Sequence, residues 1–310
     1  MSSNISLTSS TRSSLLSLQN TSALQSVTSE RLSTGRKVNS ALDNPVNFFT
    51  AASLNSRSDS LSSLLDNMSN GIQTIQAANK GLTAMKSIVE QLQSTVKQAR
   101  QDTTLAYESD GTTVTTGTDK VRTNLEKQYK DLLGQLDKIS KDSGYNGVNL
   151  LNGEELKITF NEKTGTNKSD MTVKLTDDDG EAQAVTATSL GLGSLADGEY
   201  TLPDGETDGT AADFTKNADL DALSDKLTTA LTTMQSKASS LGSNLSVVQT
   251  RQDFTKELVN VLKSGADGLV NADMNEEAAN FTALQTRQSI AQQTLSLANQ
   301  QQQGILQLLR

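Results

Sequence analysis

The longest regular pattern in the chain begins after Pro45, where Leu65, Met68, Ile72, Ile75, Asn79, Leu82, Met85, Val89, Leu92, Val96 and Ala99 follow one another in steps of three and four. That spacing predicts a long coiled-coil-type helix with one extra step of three near Leu82, a stammer that locally overwinds a supercoil. A Gly/Thr-rich break at residues 111–117 ends it. A second helix is predicted from Val121, Leu125, Tyr129, Leu132, Leu136 and Ile139, stopping at Ser143-Gly144. Residues 154–176 change period: Leu156 to Phe160 and Met171 to Leu175 alternate apolar and polar around Thr164-Gly165-Thr166-Asn167, which predicts a β-hairpin. Residues 177–219, rich in Gly and acid, read as a loop or a small exposed excursion.

Helix is expected again from Leu220, Leu223, Leu227, Ala230, Met234, Leu241, Leu245 and Val248 to about Leu262, with Gly265 and Gly268 interrupting it. The last segment, Phe281, Leu284, Gln288, Ala291, Leu295, Ala298, Gln302, Ile305 and Leu309, is an unbroken heptad seam with Gln at two core positions. A fainter match, Leu16, Asn20, Ala23 and Val27, opens the chain. Polar seam residues cost stability and help set register, so neither end is expected to be a stable helix alone. The fold class is therefore mainly α. Long coiled-coil helices come from both chain ends, with a β-hairpin and a small exposed acidic loop region in the middle.

Composition narrows the function. The 310 residues include no Cys, no His and no Trp, and only 3% are aromatic. Nucleophilic Cys, His bases, His/Cys zinc sites and Ser-His-Asp triads all require residues this chain lacks, so an enzyme is the poorest reading. Neither cofactor nor metal is expected. The net charge of -9 is concentrated: residues 153–219 hold 15 acidic residues and 5 Lys, leaving the rest of the chain at +1. That middle reads as a self-repelling, solvent-facing segment between two near-neutral arms that can pack on copies of themselves. No basic patch with interleaved aromatics suggests nucleic acid, and no apolar run approaches a membrane span. The Ser/Thr-rich start has no basic-then-apolar secretion signal, so export is expected by another route.

The small motifs have plain readings. Asp177-Asp178-Asp179-Gly180 fails as a calcium loop, because Leu175 occupies the first ligand position and no Glu closes it. Gly191-Leu192-Gly193 is too short for a dinucleotide fingerprint and reads as a turn. The run of Gln at 300–303 lies within the heptad and reads as helix.

Residues 30–43, Glu-Arg-Leu-Ser-Thr-Gly-Arg-Lys-Val-Asn-Ser-Ala-Leu-Asp, are more specific. Physically they are a bend at Thr34-Gly35 beside a basic cluster of Arg31, Arg36 and Lys37, in its plainest reading an exposed inter-helix loop. The stretch closely resembles the N-terminal signature of bacterial flagellins. The final segment, Ser289-Ile290-Ala291-Gln292-Gln293 through Leu297-Ala298-Asn299-Gln300 to Leu308-Leu309-Arg310, resembles the flagellin C-terminus. Asp137-Lys138-Ile139-Ser140, Tyr145-Asn146-Gly147, Leu150-Leu151 and Ser189-Leu190-Gly191-Leu192 are similar to the same family, so the resemblance covers nearly the whole chain apart from about residues 196–218.

The resemblance implies a subunit that self-assembles into the flagellar filament for swimming, secreted to the cell exterior after unfolded passage through the export channel. An inner coiled-coil domain would combine residues 1–43 with 270–310 and be disordered in the monomer. A helical shell would combine 44–195 with 219–269, and 196–218 would be a short exposed variable segment. Subunit contacts are expected at Leu16, Ala23, Val27, Phe281, Leu284, Leu295, Ile305 and Leu309. Expected partners are other flagellin copies, the flagellar export apparatus, an export chaperone, the filament cap and the hook-filament junction proteins. A hook-filament junction protein is the alternative within the same machine; a soluble helical scaffold of chemoreceptor type is the alternative from another class, disfavoured by the β-hairpin and acidic middle. The chain departs from its family where immune receptors bind. The peptide read by plants matches residues 30–51, and here Asn44, Pro45 and Phe48 stand in its second half; Gln91, Thr95 and Gln128 align with the Arg, Leu and Glu contacted by the vertebrate Toll-like receptor.

Overall fold

A computed structural model describes residues 9–102, 120–177, 180–196, 199–201, 214 and 217–308. The element order is α1 (Ser9–Thr34), α2 (Pro45–Gln101), α3 (Lys120–Asp142), β1 (Leu156–Thr159), a single 3-10 turn at Gly165–Asn167, β2 (Asp170–Val173), β3 (Ser194–Ala196), β4 (Glu199–Thr201), α4 (Asn217–Val270) and α5 (Met274–Leu308). The chain divides into two compact units: Met1–Asp59 with Val259–Arg310, and Ser60–Leu258. The expected Gly/Thr break at 111–117 and most of the segment 196–218 lie outside the described residues.

In the unit of residues 60–258, α2 buries Met68, Ile72, Ile75, Ala78, Leu82, Met85, Val89, Leu92, Val96 and Ala99. The expected series holds with one correction: Asn79 is exposed and Ala78 takes the seam, so the extra step of three falls between Ile75 and Ala78. A methyl group is the smaller desolvation problem than an amide at a fully buried position. α4 runs antiparallel to α2: Gln93 Nε2 donates to Thr228 Oγ1 (3.2 Å), and seven residues further along α2 Arg100 pairs with Asp221 (2.8 Å), seven residues back on α4. On α3 the inward line is Tyr129, Leu133, Leu136 and Ser140. Leu125, Leu132 and Ile139 of the expected line pack half-buried against the same core, so the line holds except at Val121, which is 53% exposed, and Leu133 adds to it.

Hydroxyls do not obstruct this packing. Thr74, Thr83 and Thr95 on α2 and Thr228, Thr229 and Thr232 on α4 each donate to the carbonyl four residues back at 2.9–3.1 Å. The donor is satisfied inside its own helix, so Thr74 and Thr95 can be buried through their methyls.

The expected β-hairpin is present, with Leu156 opposite Val173 and Thr159 opposite Asp170. Alternation sends Ile158 and Val173 inward, and Phe160 and Leu175 follow them into the core. Ile158 sits over Gly71, where an added Cβ would lie 2.6 Å from its Cδ1. Ten residues on, Gly81 leaves room for Ser143 and Leu151; a Cβ there would meet the Ser143 hydroxyl oxygen and lie 2.6 Å from Leu151 Cδ1. Between α3 and β1, Tyr145 and Val148 exchange main-chain bonds (2.9 and 3.0 Å) around Asn146 and Gly147, whose φ of 50° and 81° make the primed turn that Asn-Gly favours. Asn149 then closes α3, its amide donating to the last carbonyls of Ser140 and Lys141 (both 2.8 Å) while its oxygen accepts from Leu151 N (3.0 Å).

Residues 177–219 are not simply an exposed loop. Gln183 N donates to Leu175 O (2.9 Å), Val185 N to Leu151 O (2.7 Å) and Ala187 N to Asp137 Oδ1 (2.8 Å), and Val185, Ala187, Leu190 and Leu192 are buried. The acid had masked four apolar residues without helical or strand period. β3 and β4 pair antiparallel, and Phe214, within the segment expected to be exposed, is buried with its ring 5.6 Å from that of Tyr129. Arg122 is 1% exposed; its guanidinium donates to the main-chain oxygens of Phe214 (2.9 Å) and Asp102 (2.7 Å) and to Oδ1 of Asn217 (3.1 Å). One side chain thus joins the end of α2, the start of α3 and the start of α4.

The unit of chain ends has a smaller core: Val38, Ala51, Ala266 and Val270 with Phe48, Leu54 and Leu269 against them. α4 continues to Val270, so Gly265 and Gly268 do not interrupt it. Each glycine costs a helix about 1 kcal/mol, less than burying Ala266 and Val270 returns together at about 0.8 kcal/mol per CH₂.

Opposite signs are expected for two helical glycines. Gly81→Ala overpacks the Ser143–Leu151 seat and lowers unfolding free energy by about 1–3 kcal/mol, whereas Gly242, with nothing within 4 Å of an added Cβ, gains up to about 1 kcal/mol as Ala. Urea denaturation of both variants measures this. Arg122→Met strands the carbonyls it holds and is expected to cost about 1–3 kcal/mol for each one left unpaired in the same assay.

Candidate functional site

The chain ends meet in an antiparallel helix pair. Arg31 Nη1 on α1 pairs with Glu277 Oε1 on α5 at 3.0 Å, while Ser14, Ser17 and Thr21 share a groove with Arg287, Ala291 and Thr294. Along α5 the least exposed line is Glu277, Phe281, Leu284, Gln288, Ala291, Leu295 and Ala298, a heptad alternation of four and three. Along α1 it is Thr11, Ser14, Leu18, Thr21, Gln25, Thr28 and Leu32. The N-terminal series Leu16, Asn20, Ala23 and Val27 lies on the other face of α1, away from this line. Leu16 and Val27 are 60% and 44% exposed, and Ala23 is exposed as well, as are Leu15 and Leu24. Thr wins the seam because its hydroxyl is satisfied locally, as when Thr21 donates to Ser17 O at 2.8 Å. Phe281, Leu284 and Leu295 consequently face α1 of their own chain. Ile305 lies in α5 with its side chain undescribed, and Leu309 lies outside the described residues.

The segment 30–43 proves to be a clasp rather than a loose loop. Gly35, at φ 70°, closes α1 with its N–H on Arg31 O (2.8 Å). Lys37 N and Val38 N both donate to Val270 O (2.8 and 3.2 Å), and Ala272 N donates to Gly35 O (2.9 Å). The Lys37 ammonium donates to Gly268 O (3.1 Å), where the negative end of α4 favours a cation. Two of the three basic residues thus have assigned structural partners: Arg31 holds Glu277 and Lys37 caps α4. Asp43 Oδ2 accepts from Ser40 N (2.9 Å), Asn39 N (3.0 Å) and the Ser40 hydroxyl (3.2 Å), and these bonds, led by the one from Ser40 N–H, hold its carboxyl below the usual Asp range. Asn44 caps α2 by accepting from Asn47 N (3.1 Å), and Pro45 takes the first helical position, where no N–H is needed. The two rings that follow separate: Phe48 packs on the small core, and Phe49 is 63% exposed, edge-on to it at 5.5 Å.

Gln91, Thr95 and Gln128, apart in sequence, line one groove between α2 and α3 with Gln98, Asp131 and Gln135. Thr95 is 7% exposed and bonded to Gln91 O (3.0 Å); Gln91 and Gln128 are open to solvent. Among the described residues no cluster of three His, Cys, Asp or Glu is placed to hold a metal, and no helix is long and apolar enough to cross a membrane. Of the Asp177–Asp179 run only Asp177 is described, and its carboxylate accepts from Glu181 N at 2.9 Å.

Comparison with known proteins matches both helical arms of the chain. The bacterial flagellin N-terminal helical region matches residues 3–155, and the bacterial flagellin C-terminal helical region matches 224–309. Flagellin FljO of Caulobacter vibrioides is 30% identical over 301 residues, covering 96% of each chain. A flagellin of Brucella melitensis is 26% identical over 307 residues, covering 97% of each. The crystal structure of Bacillus cereus flagellin, 17% identical, covers 61% of this chain and 88% of its own with a TM-score of 0.42. With both family regions matched in order and a full-length relative at this identity, the chain belongs to the bacterial flagellin family and is a subunit of the flagellar filament.

Proposed function

We propose that this filament subunit works outside the cell as a purely mechanical, non-catalytic element, reached by unfolded passage through the flagellar export apparatus with an export chaperone, and built in between hook-filament junction proteins and the filament cap. The observation that carries the reading is the division of α1 and α5 into two faces. The inner faces hold the ends of one chain together through a largely polar seam, and the outer faces leave Leu15, Leu16, Leu24 and Val27 on α1 and Ile290 and Leu297 on α5 exposed. Copies of the same chain are the partners that cover them. Leu16, Ala23 and Val27 are assigned to contacts between subunits; Phe281, Leu284 and Leu295 support them from behind by fixing α5 against α1. A chain with no Cys and no His brings neither disulfides that would hinder threading nor the usual acid-base groups of an enzyme.

Deleting residues 280–310 removes most of α5 while leaving every element of the 60–258 unit in place. The truncated chain is expected to keep cooperative unfolding of that unit by circular dichroism and to form no filaments by electron microscopy. Filaments of normal length from it would refute the assignment of assembly to the ends.

The Gln91–Thr95–Gln128 groove supports a second expectation. Where receptor-active flagellins offer a cation, an apolar anchor and an anion, this groove offers two amides and a threonine whose hydroxyl is already used. Loss of such anchors costs a few kcal/mol of binding, on the order of a hundredfold. Dose-response curves on Toll-like-receptor-expressing cells should show monomer potency lower by about that factor than an enterobacterial-type flagellin, and the peptide of residues 30–51 should be weak on plant tissue. Equal potency would show that these positions do not govern recognition.

A further inference from the structure

The chain holds three Asn-Gly pairs, at Asn70-Gly71, Asn146-Gly147 and Asn152-Gly153. Such a pair carries its own reaction: the main-chain nitrogen of the glycine can attack the carboxamide carbon of the asparagine, and glycine has no Cβ to obstruct the ring that forms. The fold treats the three pairs differently. Gly71 is buried within α2, its N–H is spent on the helix, and a Cβ there would lie 2.6 Å from Ile158 Cδ1, so the backbone has no room to move. Asn152 is exposed, but its main chain pairs with Ala184, and Gly153 N donates to Leu150 O at 3.4 Å. A Cβ on Gly153 would lie only 3.0 Å from Ala184 N, so this pair is clamped as well. Asn146 and Gly147 are exposed in the turn between α3 and β1, and among the described residues neither the Asn146 carboxamide nor the Gly147 N–H has a hydrogen-bond partner. Beyond its chain neighbours, nothing lies within 4 Å of a Cβ built on Gly147.

We propose that Asn146 is a site of spontaneous deamidation in the folded protein, and that the fold directs the reaction there in preference to Asn152 and Asn70. Gly147 N gives up its proton to solvent and forms a bond to Asn146 Cγ; the Cγ–N bond of the carboxamide breaks, and ammonia leaves after taking up a proton. The five-membered imide is then opened by water, the sole co-reactant. Opening at Cγ gives aspartate in the original main chain. Opening at the main-chain carbonyl leaves Gly147 attached through Cγ, an isoaspartyl link. Aspartate tolerates the left-handed φ of 50° and keeps the turn. The isoaspartyl link adds one main-chain atom between Tyr145 and Val148, whose paired bonds of 2.9 and 3.0 Å then lose their register. Asn149, which holds the carbonyls of Ser140 and Lys141 at the end of α3, follows directly. Either product also adds a carboxylate to a groove that Asn146 shares with Asn67, Asn70 and Lys157. The reaction needs only the folded monomer and does not depend on assembly.

The purified full-length chain, held at mildly alkaline pH and sampled over days beside the same chain unfolded in urea, tests this. Tryptic peptides 58–80 and 142–157 carry the three pairs. Fragmentation in the mass spectrometer locates the amide-to-acid mass gain, and an isoaspartyl carboxyl methyltransferase with a labelled methyl donor reports the rearranged link. In the folded chain, conversion at Asn146 is expected to outrun that at Asn152 and Asn70 by about tenfold or more, the factor that one retained hydrogen bond imposes on a barrier. In urea the three should convert at similar rates. Equal conversion at Asn152 or Asn70 in the folded chain, no conversion at Asn146, or the same preference persisting in urea overturns the proposal. Gly147→Ala, whose methyl group crowds the attacking nitrogen, is expected to suppress conversion at Asn146 in both states; unchanged conversion would exclude attack by this nitrogen. In the converted fraction, amide exchange across residues 142–157 should be faster than in the starting chain. Unchanged protection there would contradict the loss of the turn.

Discussion

The inner seam between α1 and α5 is made chiefly of Thr, Ser, Gln and small or half-buried apolar residues, and this weakness is the constraint to which the rest of the molecule answers. Polar residues in a coiled-coil seam sacrifice stability and fix register. Here they leave α1 holding α5 through Thr11, Thr21 and Thr28 where a self-sufficient pair would place Leu. Register is instead pinned at one end, where Arg31 pairs with Glu277 and residues 35–38 bond to the α4–α5 corner. Leu18 and Leu32 turn inward, while Leu15, Leu16, Leu24 and Val27 are directed outward. On the proposed reading, subunit and polymer thus share out the hydrophobic residues of α1, and another copy covers the outward four.

The unit of residues 60–258 shows the opposite allocation. Its interior is continuous from Met68 to Val248, with Gly71 and Gly81 bringing the β-hairpin and the Ser143–Leu151 turn hard against α2. Several buried polar groups there are held by named partners: Asn149 closes α3, Arg122 gathers three chain segments, and the buried threonines of α2 bond to their own helix. Such a unit can be stable before assembly and can offer a rigid surface to its neighbours.

How much of this the sequence carried depended on whether a signal was periodic. The α5 line from Phe281 to Ala298 was legible because its apolar residues face the buried side. The α1 line was not, because hydropathy is a guide to burial only where the chain buries its own apolar residues, and α1 exposes them. Asn79 against Ala78 was a similar failure: a seam position and its neighbour differ by about 100° on the helix, and polarity decided. Val185, Ala187, Leu190 and Leu192 sit in an acidic, aperiodic stretch, and Arg122 reads from sequence as a surface charge at a helix start; both are placed by distant segments that no local pattern reports. In the clasp, Thr34-Gly35 read correctly as a bend, but the partners of Arg31 and Lys37 lie more than 200 residues away. The groove joining Gln91, Thr95 and Gln128 could be reached from sequence only through resemblance to the family.

On the proposed reading the two units are held by unequal forces, the ends depending on assembly and the middle independent of it. Hydrogen–deuterium exchange on monomer and filament, read by mass spectrometry of peptides, tests it most directly. Residues 68–99, 129–140 and 220–248 should be protected equally in both states, while peptides from α1 and α5 exchange rapidly in the monomer and become protected only in the filament. Slow exchange of α1 and α5 in the monomer, equal to that of the middle, would contradict the account.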